Sequence, residues 1–288
     1  MLVNEKLPKT FSFSKNVVAV KDNYSAYTNI LSSNMLNHIK AVKELNEDAK
    51  EFTDAVIDGV HRSAIIYGQS GMGKTYIITD TLKKRGMKEG ADYAVLRSHA
   101  SPMMLYIMLY LMRQKNKFVI LDDCDGIISQ ESGINLLKAA TDNTFRQVGW
   151  ASSQHIRNPI NGKIIPSSFN FNGSIIITTN VSLAVGRSKI AQHMDALRSR
   201  AASYQLNLKT KEEQFAQIFH MVVDNDYLSN DADTTLTEDE KAILLEFLYN
   251  NINIPRRLDL RLPQIIAREL KNNKNNWERR VKRLLEAA

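Results

Sequence analysis

The stretch Gly68-Gln69-Ser70-Gly71-Met72-Gly73-Lys74-Thr75 constrains the fold more than any other part of this sequence. Its spacing, G-x-x-x-x-G-K-[ST], lets backbone N–H groups curl around phosphate oxygens. That geometry requires a buried strand before the loop and a helix after it. Residues 63–67 form a short apolar run of the first kind, and residues 74–84 carry the helical pattern. The helix start adds partial positive charge to the loop. Lys74 is thereby placed to reach the β- and γ-phosphates, and the Thr75 hydroxyl to bind Mg²⁺.

Short apolar runs go on alternating with helices downstream. Residues 93–97, 118–121, 174–179 and 203–208 read as strands, and residues 101–112, 134–145 and 190–197 as helices. Ser101 and Pro102 suit the cap and first position of their helix. This alternation predicts an α/β fold, a parallel five-stranded sheet flanked by helices. Upstream, residues 11–13 and 17–20 read as short extended pieces and residues 33–60 as two helices. After residue 208 the strands stop. Helices are expected at 211–223, 237–250, 255–271 and 275–286, the second opened by a Thr237/Glu240 capping box. The expected organisation is therefore a mostly helical lead (1–60), a nucleotide-binding α/β core (61–208) and a small all-helical C-terminal lid (209–288).

Composition removes other classes. The single cysteine, Cys124, excludes a disulfide scaffold and a Cys-based zinc finger. The longest apolar run, residues 103–112, is half the roughly 20 residues that span a bilayer. Residues 1–10 lack the apolar core of a signal peptide. A soluble, cytoplasmic protein without a membrane partner is the expectation. The net charge is +7, but residues 251–288 hold ten bases against four acids, so the first 250 residues are nearly neutral. Asp224, Asp226, Asp231 and Asp233 lack EF-hand spacing and read as a solvated loop. His99 and His155 have no partners at metal-ligand spacing. Met103, Met104, Met108 and Met112 read as the core face of a helix, and Cys124 as a packed small residue.

Phe118-Val119-Ile120-Leu121-Asp122-Asp123 has the form of a Walker B motif. An acid at the C-terminal end of a parallel strand lies where such sheets bind ligands. Asp122 is expected to hold Mg²⁺ through water, and Asp123 to polarise the attacking water, with Asp125 as a second acid nearby. Ser174-Ile175-Ile176-Ile177-Thr178-Thr179-Asn180 is a further buried strand ending in a polar residue.

With these residues the chain resembles the AAA+ ATPase superfamily, and most of all small AAA+ ATPases encoded by bacteriophages. The resemblance covers about residues 60–286. It implies that Asn180 is the sensor 1 residue, between the Walker B acid and the γ-phosphate. It also implies that Met194-Asp195-Ala196-Leu197-Arg198-Ser199-Arg200 ends in an arginine finger, Arg200 or alternatively Arg198. A guanidinium suits that task because it is permanently charged and forked. Ile254-Pro255-Arg256-Arg257-Leu258-Asp259-Leu260 resembles the sensor 2 region, with Arg256 the best match and Arg257 and Arg261 as alternatives. ATP and Mg²⁺ are the implied cofactors, Gly68 to Thr75 and Arg256 the nucleotide contacts, and a homo-oligomeric ring or helix, a hexamer foremost, the implied assembly. A phage-encoded member would work in the host cytoplasm.

Two segments bear on what such an ATPase acts on. The loop at 98–101 is short and lacks the aromatic residue common in protein-unfolding rings. The long connection 141–173 contains Asn161-Gly162 between β-type residues, a hairpin signal. AAA+ helicases often carry a hairpin there, which makes Arg157 and Lys163 expected phosphate contacts to DNA. The leading expectation is a nucleic-acid-associated motor, helicase-like protein or loader in replication or recombination. The alternative is a protein remodeller or ATP-switched scaffold.

Overall fold

Strand β1 (Ser63–Gly68) turns Ile65 to one face of a sheet and Ala64 and Ile66 to the other. β3 (Phe118–Asp122) and β6 (Ser174–Thr179) follow the same rule. Val119, Leu121, Ile175 and Ile177 join Ile65, while Phe118, Ile120 and Ile176 lie on the opposite face. A side-chain period of two therefore builds two apolar cores back to back on one sheet. β2 (Tyr93–Arg97) and β7 (Ala202–Leu206) complete it in the order β2-β3-β6-β1-β7, with every pair parallel. The computed structural model describes residues 24–97, 100–151, 155–180, 189–272 and 275–287. The expected extended pieces at 11–13 and 17–20, and residues 98 and 99 of the loop after β2, lie outside these.

The first face is covered by α3 (Pro102–Leu111), α4 (Asp125–Ser129), α5 (Glu131–Ala140) and α6 (Lys189–Arg198). The second is covered by α2 (Lys74–Lys84) and the end of α1 (Ser33–Ile57). A third apolar cluster joins α1 to the C-terminal helices α7 (Lys211–Phe219), α8 (Glu238–Asn250), α9 (Arg261–Asn272) and α10 (Trp277–Ala287). Met72 of the phosphate loop belongs to this cluster, so the helical layer sits directly behind the loop.

Several expectations are corrected. The region expected as two helices is one helix of 25 residues. No glycine or proline interrupts 33–57, and Ser32 Oγ caps it by accepting from the Met35 N–H at 3.1 Å. The expected helix at 134–145 starts earlier and ends sooner, at Glu131–Ala140, after a short separate helix at Asp125–Ser129. Asp142 Oδ1 accepts the N–H groups of Thr144 and Phe145, at 2.8 and 2.9 Å, and closes a turn instead. Those bonds, Phe145 first, hold the Asp142 carboxyl down at about 2. The helix expected from 255 begins at Arg261, after Asp259 Oδ1 accepts the Arg261 N–H at 2.9 Å. In α3 the core face is Leu105, Tyr106 and Leu109; Met103 and Met104 are 49% and 41% exposed.

The connection between α5 and β6 is a long hairpin. β4 (Gln147–Gly149) and β5 (Ser168–Asn170) pair antiparallel at its base, and Arg157 bridges Ile164 further out. Gly162 turns the tip at φ +70°, as the Asn-Gly signal requires. Tyr106 anchors the hairpin, its hydroxyl donating to the Pro166 carbonyl at 2.5 Å.

The acidic loop is less solvated than expected. Asp224 accepts from the Tyr24 hydroxyl at 2.9 Å and pairs with Lys43 at 3.0 Å and His220 at 2.7 Å. Asp226 pairs with Lys241 and Asp231 with Arg268. No cluster of His, Cys, Asp and Glu suited to a metal occurs among the described residues. No helix among them is long and apolar enough to cross a membrane.

Candidate nucleotide-binding site

Four carbonyls of the loop between β1 and α2 are hydrogen-bonded. Those of Gly68 and Gln69 accept from Lys74 Nζ at 2.9 and 2.8 Å. The Gly71 carbonyl accepts the Leu260 N–H at 3.0 Å, and the Met72 carbonyl accepts Gln217 Nε2 at 2.9 Å. The N–H groups of residues 69–73 donate to no acceptor among the described residues. With the Gly71 and Met72 carbonyls held by the C-terminal helices and those of Gly68 and Gln69 by Lys74, the loop N–H groups remain available to an anion. Two glycines are required for this shape. A Cβ on Gly68 would lie 1.9 Å from the Leu206 carbonyl oxygen, and Gly73 caps α2 at φ +90°.

Parallel register brings four strand ends to the loop. Lys74 is 5% exposed, and its Nζ donates to Asn180 Oδ1 at 2.8 Å. Burial pushes its pKa below the usual lysine value; Asp123 and Asp122 work against the shift, and Arg257 adds to it. The Thr75 hydroxyl donates to Asp122 Oδ1, which also accepts from Thr178 Oγ1 at 2.8 Å. Arg97 Nε, at the end of β2, lies 4.0 Å from Asp122 Oδ2. Asp123 adopts φ +50°, its N–H bonded to the Thr178 carbonyl, and its side chain is exposed. Asp125 instead accepts from Thr179 Oγ1 at 2.9 Å.

These residues open into a groove of about 240 Å³ lined by Ser70 to Tyr76, Asp122, Asp123, Tyr227, Leu260 and Arg261. Arg261 thus lines the groove, and Arg257 lies near enough to Lys74 to depress its pKa. Arg256, the best match by sequence, is exposed and absent from the lining. Arg200 is not part of the groove either. Its Nη1 donates to the Ala196 carbonyl at 2.7 Å, at the end of α6. Arg198, its alternative, is the last residue of α6 and exposed. Arg157 and Lys163 stand on the hairpin.

Sequence reasoning missed Arg97, Thr178, Thr179 and Tyr227 at this site. A signal existed for the two threonines, since they interrupt an all-isoleucine run just where the strand should leave the core. Cys124 is buried, as expected; burial pushes its thiol up to about 11.

Strand order, with the loop on β1 and the acid on β3 at the same edge, is that of the AAA+ P-loop class which the motifs resemble. No protein-family model matches the sequence. A protein of Enterobacteria phage T4, described as an uncharacterized 36.7 kDa protein in the nrdC-mobD intergenic region, is 30% identical over 255 residues. The match covers 83% of this chain and 76% of that protein, and the chain belongs to the same family as that protein. Domain III of the Thermotoga maritima replication initiation protein DnaA is similar in outline, with a TM-score of 0.45 and 14% identity. That alignment covers 83% of this chain and 90% of the domain. C. elegans PCH-2 aligns with a TM-score of 0.40 and 15% identity, over 92% of this chain and 73% of its own.

Proposed function

We propose that the protein binds Mg²⁺–ATP on the 68–75 loop and hydrolyses it between neighbouring subunits. The observation that carries this reading is the direct bond between Lys74 Nζ and Asn180 Oδ1, beside the Thr75–Asp122 pair. The free loop N–H groups and Lys74 fit a polyphosphate, and the hydroxyl–carboxylate pair fits a hydrated divalent cation. Bound magnesium supplies neutralisation of phosphate charge; Thr75 would hold it directly and Asp122 through water. Lys74 offers its charge to the phosphates, and Asn180 orients it. Asp123, exposed at the groove, is the base that takes the proton of the attacking water, with Asp125 held away by Thr179. Arg261, helped by Arg257, reads the nucleotide from the lid, in preference to Arg256.

Arg200 precedes β7, at the end of the sheet opposite the groove. It acts on a neighbour's nucleotide, so the working unit is a homo-oligomer. Turnover moves the lid (209–288) against the core (61–208), with α1 packed against both. The partner class is nucleic acid. The hairpin carries Lys163 exposed near its tip, with Arg157 steadied by the Gly162 carbonyl at 3.1 Å. On α10, Arg279, Lys282 and Arg283 are exposed, whereas Arg268 and Arg280 pair with Asp231 and Glu269.

The test is steady-state ATPase activity of the purified chain with and without single- and double-stranded DNA, across a salt series. Salt-sensitive stimulation that falls in Arg157→Ala and Lys163→Ala while basal turnover stays is the expected result. Basal turnover indifferent to DNA would favour a protein remodeller. Absence of ATP binding would overturn the reading altogether.

A further inference from the structure

Helix α1 lies outside the stretch that resembles AAA+ proteins, yet it reaches the phosphate loop. Asn46, 1% exposed on α1, and Gln217, 0% exposed on α7, face each other as two amides. Asn46 Nδ2 donates to Gln217 Oε1 at 2.6 Å, and Gln217 Nε2 donates back to Asn46 Oδ1 at 3.1 Å. The second N–H of Gln217 goes to the Met72 carbonyl at 2.9 Å, and that of Asn46 to the Val42 carbonyl at 2.7 Å. Every side-chain N–H of the pair is used, within the apolar cluster that joins α1 to α7.

Such an arrangement is demanding. Two apolar residues would fill the same space without any need for matched partners, and a half-satisfied buried amide is costly. A buried polar pair fixes one geometry where apolar packing would tolerate several. Here the geometry it fixes is the carbonyl of Met72, in the middle of the loop whose N–H groups face the opposite way. A peptide plane is rigid, so holding that carbonyl outward holds the following N–H, that of Gly73, inward. Gly73 sits at φ +90°, where glycine has freedom that must be restrained from outside.

We propose that Gln217 is a positioning residue for the nucleotide-binding loop and that Asn46 acts through it, making α1 part of the nucleotide site. This rests on the ATP reading above. The lid and α1 hold the loop in its phosphate-ready shape, and by reciprocity nucleotide on the loop tightens α1. The groove side of the loop supplies contacts, and the buried amide pair supplies shape.

The experiment uses the full-length chain, with Gln217→Met, Asn46→Leu and the double variant, and a fluorescent ATP analogue as probe. Gln217→Met is expected to raise the analogue Kd and the KM for ATP about tenfold, the effect of one ordinary hydrogen bond, with kcat changed less than threefold. Asn46→Leu shifts both constants the same way by a smaller factor. The double variant matches Gln217→Met alone, since the two residues act in series. Hydrogen exchange gives a second readout: nucleotide slows exchange of α1 amides near Asn46 in the wild type and not in Gln217→Met. Folded variants with wild-type affinity would overturn the proposal, as would additive single effects. Should Gln217→Met not fold, the swap Asn46→Gln with Gln217→Asn keeps the amide pair but withdraws the donor from Met72. Its affinity is expected to fall likewise, and an unchanged Kd there overturns the proposal. A wild type that binds no analogue tells against the ATP reading itself, which separates the two failures.

Discussion

Lys74 combines burial with three hydrogen bonds to oxygen, so its ammonium is desolvated yet fixed in direction. Burial lowers its pKa, and a polyphosphate in the groove would favour the charged form again. Lys74→Ala removes that charge and leaves Asn180 Oδ1 without its donor. ATP binding by a fluorescent analogue is expected to fall below detection, with turnover lost; binding retained at wild-type affinity would remove Lys74 from the site. Asp123 and Asp125 are separated by their partners. Asp125 is occupied by Thr179, whereas Asp123 lines the groove. Asp123→Asn is therefore expected to cut kcat by about 10² to 10⁴, the range of a general base, while the nucleotide Kd is unchanged. Asp125→Asn should stay within tenfold of wild type; the reverse ranking in single-turnover assays would exchange the two roles. At this scale the loop, Asp122 and Asn180 were legible, because spacing and strand ends mark them. Arg97 was not, and Arg261 entered only as an alternative to Arg256. Periodicity tells which face a side chain takes, but not which distant strand or helix end it meets across the sheet.

Elements show a different limit. The α1 pattern suggested two helices, and the chain forms one, because no glycine or proline interrupts residues 33–57. Capping residues were better guides than periodicity. Thr237 and Glu240 form the expected reciprocal box, each side chain bonded to the other's backbone N–H. Thr237→Ala should cost about 1 kcal/mol in urea unfolding, within the usual range for an N-cap; no change in midpoint would mean that α8 is held by packing alone. Beyond α7 the helix loosens into a π-type turn, His220–Asp224, that presents Asp224 to Tyr24, Lys43 and His220. Burial works against the Asp224 carboxylate, but bonds from His220, Lys43 and Tyr24 outweigh it and hold its pKa below 3.8. A carboxylate depressed on folding contributes stability that is complete above its unfolded pKa and is lost as pH falls through the folded value. The wild type should therefore lose stability steeply below about pH 4. Asp224→Asn should be less stable at pH 7 and show a shallower loss over that window. Parallel pH curves for the two proteins would assign the acid sensitivity elsewhere. Of its three partners only His220 is local, one turn back; Tyr24 and Lys43 lie on distant segments, which the sequence alone does not connect.

At the scale of the whole molecule, the sheet separates two chemistries by its own length. The groove lies at the C-terminal ends of β1, β3 and β6, and Arg200 stands just before the N-terminal end of β7. Five strand residues span about 16 Å, so Arg200 cannot reach the phosphates held by its own loop. A guanidinium so placed either has no part in turnover or acts on another copy of the chain. Action across a subunit boundary has a test that loss of activity in a single variant cannot provide. Lys74→Ala subunits retain an intact Arg200, and Arg200→Ala subunits retain an intact loop. Each variant alone is expected to be inactive, Arg200→Ala while still binding ATP. Mixed, the Arg200→Ala loop meets the finger of a Lys74→Ala neighbour, and turnover should return at a fraction set by how often that arrangement occurs. Maximal recovery is expected at equal amounts, with decline at either excess. A mixture as inactive as its parts, from subunits shown by mass measurement to co-assemble, would place Arg200 outside the reaction.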